Sequence, residues 1–157
     1  MRTVLILVSA LALVGCVAQP SPRDTPASLT ADQAIERYQP LFDEITTTVQ
    51  EAYPGHVYSL ANVLDVVDAN ECIIWIGDLE NRTTPGEDRE DYLALIEPFA
   101  EEAGFSELTE VKTSEGVRYA PSFVGWDDRG TELRVTFDNP GLSVSIVSEI
   151  IDDPCPK

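Results

Sequence analysis

The amino-acid sequence predicts an α+β domain in which an antiparallel sheet of about six strands carries two helices on one face. The predicted order of the elements is α-β-β-α-β-β-β-β. Two long segments place apolar residues at every third or fourth position and begin with capping motifs, which predicts helices. The other apolar segments are short, tend to alternate with a period of two and are separated by turn residues, which predicts strands.

The first helix is predicted to begin after Thr30, because Thr30 and Gln33 have the spacing of a capping box. Pro54 and Gly55 are expected to end it. A single apolar stripe lies between these points, formed by Ile35, Tyr38, Phe42, Ile45, Val49 and Ala52. Pro40 lies inside the segment and is expected to kink the helix or to separate its first turns.

Two strands rich in branched and aromatic residues are predicted next, at residues 56–67 and 72–77. A second capping box, formed by Thr84 and Glu87, predicts the start of the second helix. The apolar residues of this helix are Tyr92, Leu95, Ile96, Phe99 and Ala103. We expect a kink at Pro98 and an end at Gly104.

A meander of four further strands is predicted after the second helix. The strands are expected at residues 106–113, 117–124, 131–138 and 142–150. Trp75 lies in a strongly apolar run and is predicted to belong to the core. Trp126 lies at a strand end, where packing against the sheet is favoured over an exposed recognition surface.

Residues 1–15 have the organisation of a secretory signal. Arg2 precedes an apolar run of about a dozen residues, too short to span the roughly 30 Å hydrocarbon core of a bilayer. The tail of the run, Leu13-Val14-Gly15-Cys16, resembles the bacterial lipobox, whose cysteine receives a diacylglycerol thioether and becomes the first residue after cleavage. A buried N-terminal helix is the alternative, but it leaves this ordered motif unexplained.

Three segments are therefore expected: a signal peptide at 1–15, the lipidated Cys16 with a proline-rich tether at 16–29, and a single α+β domain at 30–157. Two or three acyl chains on Cys16 would attach the protein durably to the membrane, since one chain alone binds only marginally. The expected location is the outer, extracytoplasmic side of the cell membrane.

The composition is strongly acidic. The chain has 10 basic and 28 acidic residues, a formal net charge of −18 at pH 7, and loss of Arg2 with the signal leaves −19. Such a charge repels phosphate backbones, so no nucleic-acid partner is expected. It also keeps an exported protein soluble, and a basic protein is the partner that it would favour. We expect a monomer.

The cysteine content agrees with export. Once Cys16 carries lipid, Cys72 and Cys155 remain, and two such cysteines outside the cytoplasm usually form a disulfide. A pair of buried free thiols is the alternative. No metal or cofactor is expected, because these cysteines and His56 lack the spacing of zinc ligands.

Several of these features together resemble the LppA-type lipoproteins of mycobacteria and other actinobacteria. They are the lipobox, the tether, a helix ending in Pro-Gly, a cysteine after the first strand and another near the C-terminus. The closest part is residues 127–150, with Asp127-Asp128-Arg129-Gly130 and Asn139-Pro140-Gly141, leading to Cys155. The resemblance implies an envelope-exposed lipoprotein with no established activity, so it supplies no catalytic residues.

The sequence predicts no catalytic residues. His56 is the single histidine and follows a Pro-Gly turn, and no G-x-S-x-G motif supplies a nucleophile. Acidic pairs are abundant, but in a chain with 28 acids some pairs arise by chance. The segment Asp127–Gly130 lacks the alternating oxygen ligands of a calcium loop and is predicted to form a hairpin turn.

We therefore expect a non-catalytic binding or structural role in the cell envelope. The alternative is an acidic inhibitor or binder of a basic hydrolase that attacks the envelope. For that role, Trp126, Asp127 and Asp128 form the candidate binding surface. A hydrolase is the less favoured class, because it would need a cleft that gathers acids or His56.

Overall fold

The computed structural model describes residues 29–61, 72–82, 89–111, 120–138 and 141–151. It contains the two helices and six strands expected from the sequence, in the predicted order. They are α1 (Ala31–Ala52), β1 (Tyr58–Ala61), β2 (Ile73–Asn81), α2 (Arg89–Glu102), β3 (Thr109–Val111), β4 (Ser122–Trp126), β5 (Glu132–Asp138) and β6 (Gly141–Glu149). The predicted α+β fold class is confirmed.

The strands form one antiparallel sheet in the order β1-β2-β6-β5-β4-β3. Strands β3 to β6 follow one another as a meander, as predicted, and β6 then pairs with β2. Both helices pack on one face of this sheet and form a single hydrophobic core with it. We call the opposite side of the sheet the open face.

The core consists of the apolar stripe of α1, the inner side of α2 and every second residue of the central strands. Its largest fully buried side chains include Tyr38, Phe42, Ile45, Tyr92, Ile96, Ile76, Leu79, Leu133, Leu142 and Ile146. Burial of each large apolar side chain contributes about 1.5–3 kcal/mol, so this face holds the domain together.

Both helices begin or end as their sequences indicate. The Thr30 hydroxyl accepts from the Gln33 backbone at 3.3 Å, and the Gln33 side chain accepts from the Thr30 backbone at 3.0 Å, which completes the capping box. Gly104, with φ +89°, follows the end of α2. Pro40 and Pro98 lie inside helices that continue past them, so neither proline splits its helix.

The predicted boundaries of four strands were wrong. Strand β2 runs four residues beyond the expected end at Gly77, and β4 begins at Ser122 and ends two residues later than expected. Strands β1 and β3 begin two and three residues later than the predicted starts at 56 and 106. The remaining parts of these predicted strands, like the second capping box at Thr84 and Glu87, lie outside the described residues.

Gly77 explains the extra length of β2. It is the additional residue of a β-bulge, because Ile76 pairs with Ile146 and Asp78 pairs with the preceding Ser145. Strict alternation after Ile76 would turn Asp78 into the core. The bulge reverses the alternation and places Asp78 on the open face. Gly77 adopts φ +76° beside the ring of Phe42, a position suited to a residue without a side chain.

The two termini of the described domain meet at one end of the sheet. Leu29 and Ile150 form a parallel β-bridge, and the Ile151 N–H donates to the Leu29 carbonyl at 2.9 Å. The Ile150 N–H donates to the Cys72 carbonyl at 2.7 Å. Cys72 is not a free thiol, and Cys155 lies outside the described residues, so their pairing stays a prediction. No helix in the described part of the chain is long and apolar enough to cross a bilayer.

Candidate functional site

The open face carries both tryptophans of the chain in one cross-strand row. Trp75 of β2 lies opposite Val147 of β6, Val147 lies opposite Glu132 of β5, and Glu132 lies opposite Trp126 of β4. All four side chains are partly exposed, and neither tryptophan belongs to the hydrophobic core. The prediction that Trp75 is a core residue was therefore wrong. Trp126 does lie against the sheet, but on its open face.

The row next to the tryptophans is mainly polar. It runs across four strands through Asp78, Ser145, Arg134 and Val124. Ser145 and Val124 are buried, at 3% and 0% exposure, whereas Asp78 and Arg134 keep partial exposure. The open face thus presents charged groups beside the tryptophan row.

A third row continues the polar surface. It runs through Glu80, Ser143, Thr136 and Ser122. The Ser122 and Thr136 hydroxyls lie 3.1 Å apart across the strands.

Two of the acidic side chains on the open face differ in their partners. Glu132 accepts from Arg134 Nε at 2.6 Å, which forms an ion pair. Asp78 Oδ1 accepts a hydrogen bond from the neutral Ser143 hydroxyl at 2.9 Å. Burial raises the pKa of Asp78, the Ser143 hydrogen bond lowers it, and the charge of Glu80 raises it further. The negative charge of Asp78 is therefore energetically unfavourable in the unliganded domain.

Such a surface is suited to binding rather than to covalent chemistry. Tryptophan rings attract cations through their π faces, and half-buried carboxylates form strong charge-assisted hydrogen bonds.

The surface predicted from Trp126, Asp127 and Asp128 is divided in the structure. Trp126 lies on the open face and Asp128 is exposed, but Asp127 is only 8% exposed. Its carboxylate accepts from the backbone N–H groups of Arg129 and Thr131, both at 2.9 Å. Asp127 therefore stabilises the turn between β4 and β5 and does not contribute to a binding surface.

Asp127 also connects this turn to α1. It accepts a hydrogen bond from the Tyr38 hydroxyl, which accepts in turn from the Thr131 hydroxyl at 3.1 Å. The Thr131 and Ser148 hydroxyls lie 3.0 Å apart, which extends the network to β6. Burial raises the pKa of Tyr38 to about 12, and the hydrogen bond with Asp127 adds to the shift. This buried network fixes the end of β4 that carries Trp126.

His56 lies in a separate cluster at the other end of the sheet. Its Nδ1 atom is 2.9 Å from the Tyr92 hydroxyl and 3.0 Å from Asn81 Nδ2. Its ring stacks on Tyr53 with centroids 5.3 Å apart, and the Tyr53 ring stacks on Tyr92 at 4.4 Å. These contacts join α1, β2 and α2, as expected for a turn histidine with a packing role.

The described residues contain no group of three or more histidine, cysteine, aspartate or glutamate side chains that could hold a metal ion. Two candidate binding residues, Trp75 and Asp78, were not predicted from the sequence. Gly77 was the available signal, because a glycine inside an apolar strand often marks a bulge.

Comparisons with known proteins do not assign a family. No family model matches the chain, and a search of curated proteins found no match. Among solved structures, the chain is similar to a crystal structure of a DUF4853 family protein from Actinomyces odontolyticus, with a TM-score of 0.48 and 11% sequence identity. The match covers 83% of this chain and 75% of that one. The function is therefore argued from the open face itself.

Proposed function

We propose that this chain is an outward-facing envelope lipoprotein, anchored by lipid on Cys16, whose domain binds a ligand without catalysis. The lipobox Leu13-Val14-Gly15-Cys16, the proline-rich tether and the resemblance to LppA-type lipoproteins support the location. The tryptophan row on the open face is the single observation that supports binding.

Tryptophan is the residue type most often found where binding energy is concentrated. Each large aromatic side chain can bury about 150–250 Å². Trp75 and Trp126 lie outside the core that stabilises the fold, and both are partly exposed, so part of each side chain is accessible to a partner. Two such rings in one row, with charged and small polar residues beside them, form a continuous recognition surface.

The position of the domain termini is compatible with an anchored binder. The tether would enter at Leu29, at the end of the sheet where the terminal segments meet. Residues 17–28 would reach at most about 40 Å when extended, which holds the domain near the membrane but clear of it. The net charge of −19 after removal of the signal would keep the domain away from anionic headgroups.

The anchor is tested by replacing Cys16 with Ser. We expect the variant to leave the membrane fraction and to accumulate in the soluble fraction, because serine offers no thiolate for the thioether. Retention of the variant in the membrane fraction, at the level of the wild type, would contradict the anchor.

The binding surface is tested by intrinsic tryptophan fluorescence, because both tryptophans lie on the open face. The purified domain is titrated separately with basic peptides, acidic peptides, wall glycan fragments and lipid vesicles. We expect one class to change the emission, and the Trp126→Ala variant to weaken its binding. The matched control is Tyr53→Phe, which alters an aromatic residue of the His56 cluster and should leave binding unchanged. If neither substitution changes the affinity, the open face is not the binding surface.

A further inference from the structure

We propose that the ligand of the open face is an extended segment of a basic protein, whose arginine or lysine side chains pair with Asp78 and stack on the tryptophans. This inference rests on the proposed function, because it takes the open face as the binding surface. It names the chemistry of the ligand, which the proposed function leaves open.

The charge of the open face favours a cationic ligand. Asp78 and Glu80 are two residues apart on β2, and both belong to the side away from the helices. Glu132 adds a third carboxylate. Two of the three carboxylates form ion pairs, Glu132 with Arg134 and Glu80 with Arg82 at 3.2 Å. The negative charges therefore exceed the positive ones in these rows, which disfavours acidic peptides and anionic lipids.

Asp78 is the carboxylate whose ionised form a bound cation would stabilise most. It is half-buried, its hydrogen bond comes from a neutral hydroxyl, and its neighbour Glu80 has the same charge. Burial and the neighbouring charge both raise the pKa of Asp78, so its ionised form is less favourable in the folded domain than in water. A guanidinium or ammonium group placed beside Asp78 would offset both effects, which gives the bound state an interaction that the free domain lacks.

The tryptophans fit the same ligand. Trp75 and Trp126 are separated by three strand spacings, or about 14 Å. An extended chain advances about 3.3 Å per residue, so a segment of about four residues spans both rings. Arginine and lysine bind well over tryptophan faces. A segment with basic residues at both ends would therefore contact both rings, and its residue over Trp75 would also lie beside Asp78 on the same strand.

A second acidic surface of the domain supplies a matched control. Glu97, Glu101 and Glu107 line a recess of about 360 Å³ at the end of α2, on the helical side of the domain. If charge alone attracted a basic ligand, this recess would attract it as well. The open face differs from it in having the two tryptophans and the half-buried Asp78.

The experiment measures binding of a hexa-arginine peptide at roughly 0.15 M salt, where long-range attraction is largely screened. Tryptophan fluorescence and calorimetry follow wild type, Asp78→Asn and Glu101→Gln. The Asn side chain retains an oxygen that can accept from Ser143, and circular dichroism verifies that the variant folds. We expect Asp78→Asn to weaken binding about tenfold or more, because it removes the charge partner, and Glu101→Gln to change it less than about twofold.

Three other outcomes would overturn the inference in distinguishable ways. If Asp78→Asn and Glu101→Gln weaken hexa-arginine binding equally, the binding results from the overall negative charge and not from a site at Asp78. A tryptophan response to wall glycan fragments, without one to hexa-arginine, would exclude the cationic ligand and leave the proposed function standing. If neither hexa-arginine nor any other ligand class changes the emission, the inference and the proposed function fail together.

Discussion

Replacement of Gly77 by alanine tests whether the bulge in β2 is required by the fold. Gly77 has φ +76°, and a residue with a Cβ atom in the left-handed region costs about 1–2 kcal/mol. The new Cβ would also overlap the ring of Phe42 in the core. Overpacking of this kind costs about 1–3 kcal/mol. We expect Gly77→Ala to lower the free energy of unfolding by about 2–5 kcal/mol.

Gly104→Ala is the matched control for this prediction. Gly104 also has positive φ, at +89°, but the space around a new Cβ is open. Gly104→Ala should therefore lower the free energy of unfolding only by the cost of the backbone conformation, about 1–2 kcal/mol. Urea unfolding followed by circular dichroism measures both values. Introducing Phe42→Leu into the Gly77→Ala variant should recover part of the loss, because the smaller side chain makes room. Equal destabilisation by Gly77→Ala and Gly104→Ala would refute the packing argument.

Three further predictions concern stability and covalent structure. Tyr38→Phe should lower the free energy of unfolding in urea by about 1–3 kcal/mol, because it removes the hydroxyl that donates to the buried Asp127. An unchanged unfolding midpoint would show that the hydrogen-bond network does not stabilise the domain. Since burial raises the pKa of Asp78, its ionisation disfavours the folded state as the pH rises through its titration range. Asp78→Asn should therefore be more stable than wild type at neutral pH, and this advantage should shrink as the pH falls toward about 4, the ordinary aspartate pKa; unfolding curves at several pH values that show no such trend would contradict this. Peptide mapping without reductant should recover Cys72 linked to Cys155, and free thiols on both would exclude that disulfide.

Local signals in the sequence were sufficient to predict the elements of the fold. The capping box at Thr30 and the glycine after α2 mark helix ends through hydrogen bonds between residues close in sequence. The alternating segments after Gly104 likewise indicated β5 and β6 to within one residue. Such features could be predicted because they depend on local chemistry.

The open face could not be predicted in the same way. Alternation shows that Ile74 and Trp75 point to opposite sides of β2, but both are apolar, so composition does not show which one faces the helices. The bulge at Gly77 changes the alternation partway along the strand. The tryptophan row also requires β6 to lie between β2 and β5, which is a long-range pairing.

The prediction for Asp127 failed for a related reason. Two adjacent aspartates after a strand resemble an exposed acidic surface, and Asp128 is indeed exposed. Asp127 instead turns inward, because its carboxylate satisfies two backbone N–H groups of its own turn and the Tyr38 hydroxyl. Tyr38 is 89 residues away in the sequence, so this contact follows only from the tertiary packing of α1.

Nuclear magnetic resonance can locate the hexa-arginine site and show whether a cationic ligand binds to the open face. The two indole N–H signals belong to Trp75 and Trp126, and the backbone amides report every strand. We expect both indole signals to shift during the titration, together with the amide signals of Val147, Glu132 and Ser145, while the amide signals of α1 and α2 stay in place. Shifts centred on the acidic residues of the helices, with both indole signals unchanged, would contradict it.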